Sequence, residues 1–246
     1  MKTNKLIVQV LLITLAILFS VGSSGCMELV NEGSLGEPVN GVQEEREVGQ
    51  FSELEIGGAF RVYLTQGDEE TLVVEADESE IEYIITEVVN GRLRIYLKPQ
   101  WRGKYHKMYV YLTFKDLEQI DFGGAAKVTG KNALNFDKLG MDIGGASDID
   151  LEMNAQKLDA EFSGASKIRL NGASEKGKIE ISGASGFKGS EMKFTDLTVD
   201  AGGAASAKVY ATGTLVVNAS GAASIRHKGG ADVSQTTSGA GSVKGM

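Results

Sequence analysis

A five-residue phrase returns seven times in the second half of this 246-residue chain, and nothing else limits the fold as much. It reads Asp-Phe-Gly-Gly-Ala at 121–125, Asp-Ile-Gly-Gly-Ala at 142–146, Glu-Phe-Ser-Gly-Ala at 161–165 and Glu-Ile-Ser-Gly-Ala at 180–184. It continues at 200–204, 218–222 and, as Thr-Thr-Ser-Gly-Ala, at 236–240. A fixed period of about 20 residues belongs to stacked architectures, in which each unit buries its apolar side against its neighbours. An eighth copy, Glu55-Ile56-Gly57-Gly58-Ala59, stands alone upstream.

Aligned on the last glycine of the phrase, the columns alternate with period two. Phe122, Ile143, Phe162, Ile181, Ala201 and Ala219 lie two residues before it, and Val128, Ile149, Ile168, Phe187, Ala207 and Ile225 lie four after it. Period two is the signature of strands with one buried face, and no run shows the three-and-four spacing of a helix. The Gly-Ala step falls between strands, where glycine allows a tight corner and close stacking. Strand, corner, strand and return loop make one coil of an all-β parallel β-solenoid, with coils about 4.8 Å apart.

The outward columns carry charge. Asp121, Asp142, Glu161, Glu180 and Asp200 precede the glycine by three positions, and Glu55 does so in the upstream copy. Arg169, Lys188, Lys208, Arg226 and Lys244 follow it by five. On a solenoid these become an acidic and a basic ladder flanking one corner. They are either solvated surface that blunts sheet aggregation, or a docking face or cation sites between stacked carboxylates. Like charges about 5 Å apart repel, so compensation by the opposite ladder, salt or a cation is expected.

The chain begins with a targeting segment at 1–25. Lys2 and Lys5 precede an apolar run from Leu6 to Val21, and Ser23-Ser24-Gly25 form a small-residue cleavage region. Cys26, the single cysteine, follows directly. This arrangement resembles a bacterial lipoprotein signal, although Ser23 stands where a leucine-like residue is usual. The resemblance implies lipidation of Cys26 and an exported protein held by its lipid in the cell envelope, with the outer membrane expected. Residues 26–45 are glycine-punctuated and rich in glutamate, as a flexible tether is. The folded domain is expected at 46–246, with a more irregular strand-rich half at 46–115 and the regular repeats at 116–246. In the first half Asn90-Gly91 marks a tight turn, 76–85 suits a short helix or turn, and Leu93 to Leu97 and Met108 to Leu112 alternate as strands.

The leader, the opening Arg46-x-Val48-x-x-Phe51, the Ile56 to Val62 phrase and the serial Gly-Ala-Ser coils together resemble a bacterial family. It is the auto-transporter adhesin, head GIN domain family, a domain of unknown function. The resemblance covers about residues 46–246. It implies a right-handed β-helix-like fold and a cell-envelope setting, and it brings no catalytic motif to any position here.

Chemistry is sparse. One cysteine builds neither an intramolecular disulfide nor a zinc site. His106 and His227 lie far apart in sequence with no orienting partner nearby, and Ser147, Ser166 and Ser185 repeat as corner residues rather than marking one nucleophile. No catalytic residue, metal site or cofactor is expected. A net charge of −8 argues against nucleic acid as a partner. The one large irregularity is the loop at 98–107, where Trp101, Arg102, Tyr105 and His106 suit stacking on a sugar or contact with an envelope protein. Equally, Trp101 fits as a cap on the apolar end of the stack. The last coil is polar, so a monomer or weak dimer is expected. These features describe a non-enzymatic, lipid-anchored adhesion or binding module, with polysaccharide or envelope protein as partner. The alternatives are a carbohydrate-active β-helix enzyme, a lyase or hydrolase, and a purely structural envelope protein.

Overall fold

The computed structural model describes residues 41–103 and 107–246. Cys26, the leader at 1–25, Tyr105 and His106 lie outside the described residues. Strands follow one another as β1 (Gly41–Arg46), β2 (Glu53–Gly58), β3 (Phe60–Gln66), β4 (Thr71–Asp77), β5 (Ile84–Val89), β6 (Arg92–Leu97), β7 (Met108–Phe114), β8 (Gln119–Gly124) and β9 (Lys127–Gly130). The regular half holds β10 (Leu134–Ile143), β11 (Asp148–Phe162), β12 (Lys167–Ile181), β13 (Gly186–Ala201), β14 (Ser206–Ala219), β15 (Ser224–Lys228), β16 (Asp232–Thr237) and β17 (Ser242–Gly245). All pair into one 17-stranded sheet, and a 3-10 turn at Ile81–Tyr83 occupies the stretch expected as a short helix or turn.

The sheet is a β-solenoid with coils of about 19 residues. Lys138 lies opposite Lys157, Lys157 opposite Lys176, and Lys167 opposite Gly186, all in parallel ladders. The repeat columns face as their alternation predicts: Phe122, Ile143, Phe162 and Ile181 are buried in line, as are Val128, Ile149, Ile168 and Phe187. The return is not a loop, however. β11 runs 15 residues without a break, from one corner to the next. Its alternation slips once, at Gln156 and Lys157, which are both exposed between buried Ala155 and Leu158. Two successive outward residues keep apolar side chains inward on both sides of a bend, so the ladder continues where the sequence pattern predicts loop.

The Gly-Ala corner is tight. Gly145, Gly164 and Gly183 adopt φ of 76°, 76° and 71°, left-handed values that glycine reaches without a Cβ penalty. Each backbone N–H that follows donates to the glycine carbonyl of the preceding coil: Ala146 to Gly124, Ala165 to Gly145 and Ala184 to Gly164, at 2.7–2.8 Å. Ser147, Ser166 and Ser185 are buried inside this corner. The Ser147 hydroxyl donates to the Gly144 carbonyl (3.3 Å) and that of Ser166 to the Ser163 carbonyl (3.1 Å), satisfying corner oxygens.

The N-terminal half adds two findings. The upstream phrase copy is not alone in space. β2 pairs in parallel with β8 on one edge and β6 on the other, and β3 pairs likewise with β9 and β7. Glu55 therefore stands opposite Asp121, Gly58 opposite Gly124, and the Ala125 N–H donates to Gly58. The coil at 53–66 is inserted between the coil at 92–114 and the first regular one. Second, order begins earlier than the expected start near Arg46. β1 takes up Gly41 to Glu45, assigned to the tether, because it pairs antiparallel with β4 across six positions. β5 and β6 form the hairpin expected at Asn90-Gly91, with φ of 53° and 79° at the two turn residues.

Candidate binding faces

Parallel stacking in register turns every outward repeat column into a row. Glu55, Asp121, Asp142, Glu161, Glu180, Asp200 and Asn218 are successive partners across coils. Part of this acidic row is neutralised by residues of its own face rather than by the basic ladder. Arg92 reaches Glu53 (2.6 Å), Asp121 (3.0 Å) and Glu55 (3.5 Å), and Arg94 joins Glu55 (3.3 Å) to Glu87 (3.1 Å). These carboxylates hold the Arg92 and Arg94 guanidinium pKa values above their ordinary range, the hydrogen bonds that Arg92 donates to Glu53 and Arg94 to Glu55 being the largest cause in each case. Further along, Lys178 pairs with Glu180 (2.5 Å) and the Asn218 amide donates to Asp200 (2.6 Å). Glu161, Glu180, Asp200 and Asn218 line a shallow cleft of about 300 Å³. Among the described residues, no three carboxylates or imidazoles converge closely enough to hold a metal ion.

Around the corner, Asp150, Arg169, Lys188, Lys208, Arg226 and Lys244 form the second row. Asp150 pairs with Arg169 at 2.6 Å. Toward the N-terminal end the same row continues through Thr129 and Tyr63 to Tyr111. The rings of Tyr63 and Tyr111 stack at 5.2 Å, and Tyr109 lies 6.2 Å from Tyr111, near parallel to it. Lys131 sits 4.2 Å above the Tyr63 ring. The Tyr111 hydroxyl donates to Glu75 (3.2 Å). Burial raises its pKa, and Glu75 adds to the rise.

A folded-state pKa above the unfolded value means the neutral phenol stabilises the fold below about pH 10, and that this contribution is lost as pH climbs higher. Thermal melts followed by circular dichroism at pH 8 to 11 should show a falling midpoint above about pH 10. Tyr111→Phe should flatten that fall by a few degrees. An identical alkaline slope in the variant would show that Tyr111 does not contribute to it.

The loop expected as a specific feature is placed differently from a free platform. Trp101 is half-buried and packs against the apolar core. It also lines an open groove of about 600 Å³ with Gly58, Tyr96, Pro99 and Ala125. The Arg102 guanidinium turns back on its own loop, donating to the carbonyls of Pro99 (2.6 Å) and Trp101 (2.8 Å). His227 is half-buried opposite Val209, at the end of a strand.

The Arg92–Arg94 clamp and the tyrosine stack are not visible in the repeat. Both depend on β6 and β7 lying beside β2 and β3, a non-sequential pairing. Their period-two outward positions were the available signal.

The comparisons with known proteins agree with this geometry. Residues 50–231 match the family model described as "Putative auto-transporter adhesin, head GIN domain". The chain belongs to the head GIN domain family. Solved structures share the fold of this head GIN domain. One, a putative adhesin from Bacteroides fragilis NCTC 9343, aligns with a TM-score of 0.80 at 21% identity, covering 84% of this chain and 97% of that one. A putative adhesin from Parabacteroides distasonis ATCC 8503 aligns with a TM-score of 0.70 at 22% identity over the same shares. A third, from the same Parabacteroides strain and described as a putative lipid binding protein, gives a TM-score of 0.65 at 20% identity, covering 84% of this chain and 97% of that one. No curated protein matches the chain.

Proposed function

We propose that this head GIN domain is a non-enzymatic binding or adhesion module of the bacterial cell envelope, anchored by lipid at Cys26 and displaying its charged coil faces outward. The observation that carries the proposal is the unbroken register of the two charged rows across successive coils. An active site on a solenoid concentrates unlike groups at one place and disturbs the repeat there. Here like charge repeats through at least five successive coils in each row, which suits many weak contacts along an extended partner rather than one reacting centre. Membership of an adhesin-described family points the same way, and the leader preceding Cys26 accounts for export and anchoring.

The test uses cells displaying the full chain, laid on surfaces coated with envelope polysaccharides and host glycans. Retained cells with intact glycan are the expected result, together with loss of membrane partitioning in Cys26→Ala. Shortened or unsaturated sugars in the medium would replace the proposal with a lyase or hydrolase. Equal retention of cells lacking the chain would remove the adhesive role.

A further inference from the structure

The two charged rows differ in a way that repeat statistics conceal. Partners partly occupy the acidic row. Past the Asp150–Arg169 pair, the basic row has none: among the described residues no carboxylate pairs with Lys188, Lys208, Arg226 or Lys244. All four are exposed and stand in register in successive coils. Three intervals of strand spacing put them in a file about 14 Å long. Glu191, further along the strand that carries Lys188, is taken by Lys228 at 3.1 Å. In a chain with 33 acidic residues and a net charge of −8, four neighbouring coils keep this strip free of carboxylates. The cations repel one another at this spacing, and only an external anion relieves that repulsion.

Beside the file runs a second outward column. It runs from Lys127 through Asp148 to Lys167, and Gly186, Ser206, Ser224 and Ser242 follow in register. A shallow groove of about 150 Å³ lies between the columns, with Lys167, Lys188, Lys208 and Arg226 on its rim and Ser206 and Ser224 among its walls. Cations on the rim and hydroxyls along one side match a polymer that carries anionic groups at intervals and hydroxyls between them.

We infer that this groove binds an acidic polysaccharide chain laid along the coil axis, its carboxylate or sulfate groups meeting Lys188, Lys208, Arg226 and Lys244 and its hydroxyls meeting Ser206 and Ser224. The inference rests on the binding-module reading and names the ligand class for one of its faces. A linear, single-file site favours this occupant over nucleic acid. Sequence-tolerant single-strand binding uses aromatic rings as base platforms. The ring beside the file, Tyr210, is covered by the Lys228 ammonium at 5.0 Å. A duplex is broader than the strip and would overhang the acidic row around the corner.

The full chain, purified in detergent, is titrated with a size-defined sulfated oligosaccharide, with polygalacturonate, with neutral dextran and with single-stranded DNA, at graded salt. The two acidic glycans should bind and the dextran should not, and affinity should fall as salt rises. Lys188→Ala combined with Lys208→Ala should weaken binding about tenfold, as expected for two solvated charge contacts. The control Asp137→Asn, at an exposed position of β10 outside both charged rows, should leave binding unchanged or slightly stronger. Since all three positions are exposed, unchanged melting curves separate lost contacts from lost fold. DNA binding as tight as the glycans would overturn the ligand class. Absence of glycan binding, or binding insensitive to the lysine pair, would overturn the site. If the displaying cells still adhere to another surface in that case, the adhesion reading stands while the inference falls.

Discussion

Gly145→Ala should lower the stability of the domain by about 3–5 kcal/mol, whereas Gly239→Ala should cost only about 1–2 kcal/mol. Both residues occupy the same corner and have similar φ, 76° and 66°. The left-handed backbone is therefore a shared cost. What separates them is the approach of the coil beneath. A Cβ on Gly145 meets the Gly124 carbonyl oxygen at 2.1 Å, and one on Gly239 meets the Gly221 oxygen at 2.9 Å. The first contact involves backbone on both sides and also threatens the Ala146 N–H bond to that oxygen, so the coils must part. The second is relieved by a small shift in a coil whose strands bury little, β16 being exposed at five of its six positions. Equilibrium unfolding in urea measures both. Equal midpoints for the two variants would mean that coil approach does not set the cost.

Phe162→Ala should be comparably severe, about 3–5 kcal/mol, with Phe162→Leu recovering most of the loss. Phe162 is fully buried at the end of β11, between Ile143 and Ile181 in the neighbouring coils. Its ring packs against Phe187 at 5.6 Å from the next strand pair. A solenoid has no other layer to fill a hole: each coil touches only those above and below, so a cavity persists and weakens two interfaces at once. Phe60→Ala removes a ring of the same size, nearer the other end of the stack. If thermal melts of the Phe162 variant kept the wild-type midpoint, the central coils would not be the cohesive part of the fold.

The regular half was legible because each of its contacts is one period away. Phe162 meets Ile143 and Ile181, and Glu161 meets Asp142 and Glu180, at offsets the eye can count. The same property makes the charged rows legible as columns in the sequence alone. The bend at Gln156–Lys157 was not, because two outward polar residues in sequence look like loop while remaining in the ladder. The N-terminal half was legible only as strands. That Leu54 pairs with Leu93 on one side and Ile120 on the other cannot be read from spacing, since the order in space departs from the order in the chain. The Arg92 clamp on Glu53, Glu55 and Asp121 was hidden for that reason.

That interleaving sets an order for folding. Contacts between β11 and β12 close loops of one coil and can form as soon as two coils exist, whereas β2 must wait for both β6 and β8. Long closures are entropically costly and slow, so assembly of the N-terminal half, all together, is the slow step. Once it stands, it offers the paired edges of β8 and β9 as a template, and each later coil adds by local zippering. A chain synthesised from its N-terminus therefore presents the template first and the repeats afterwards, which keeps unpaired coils from associating with those of other chains.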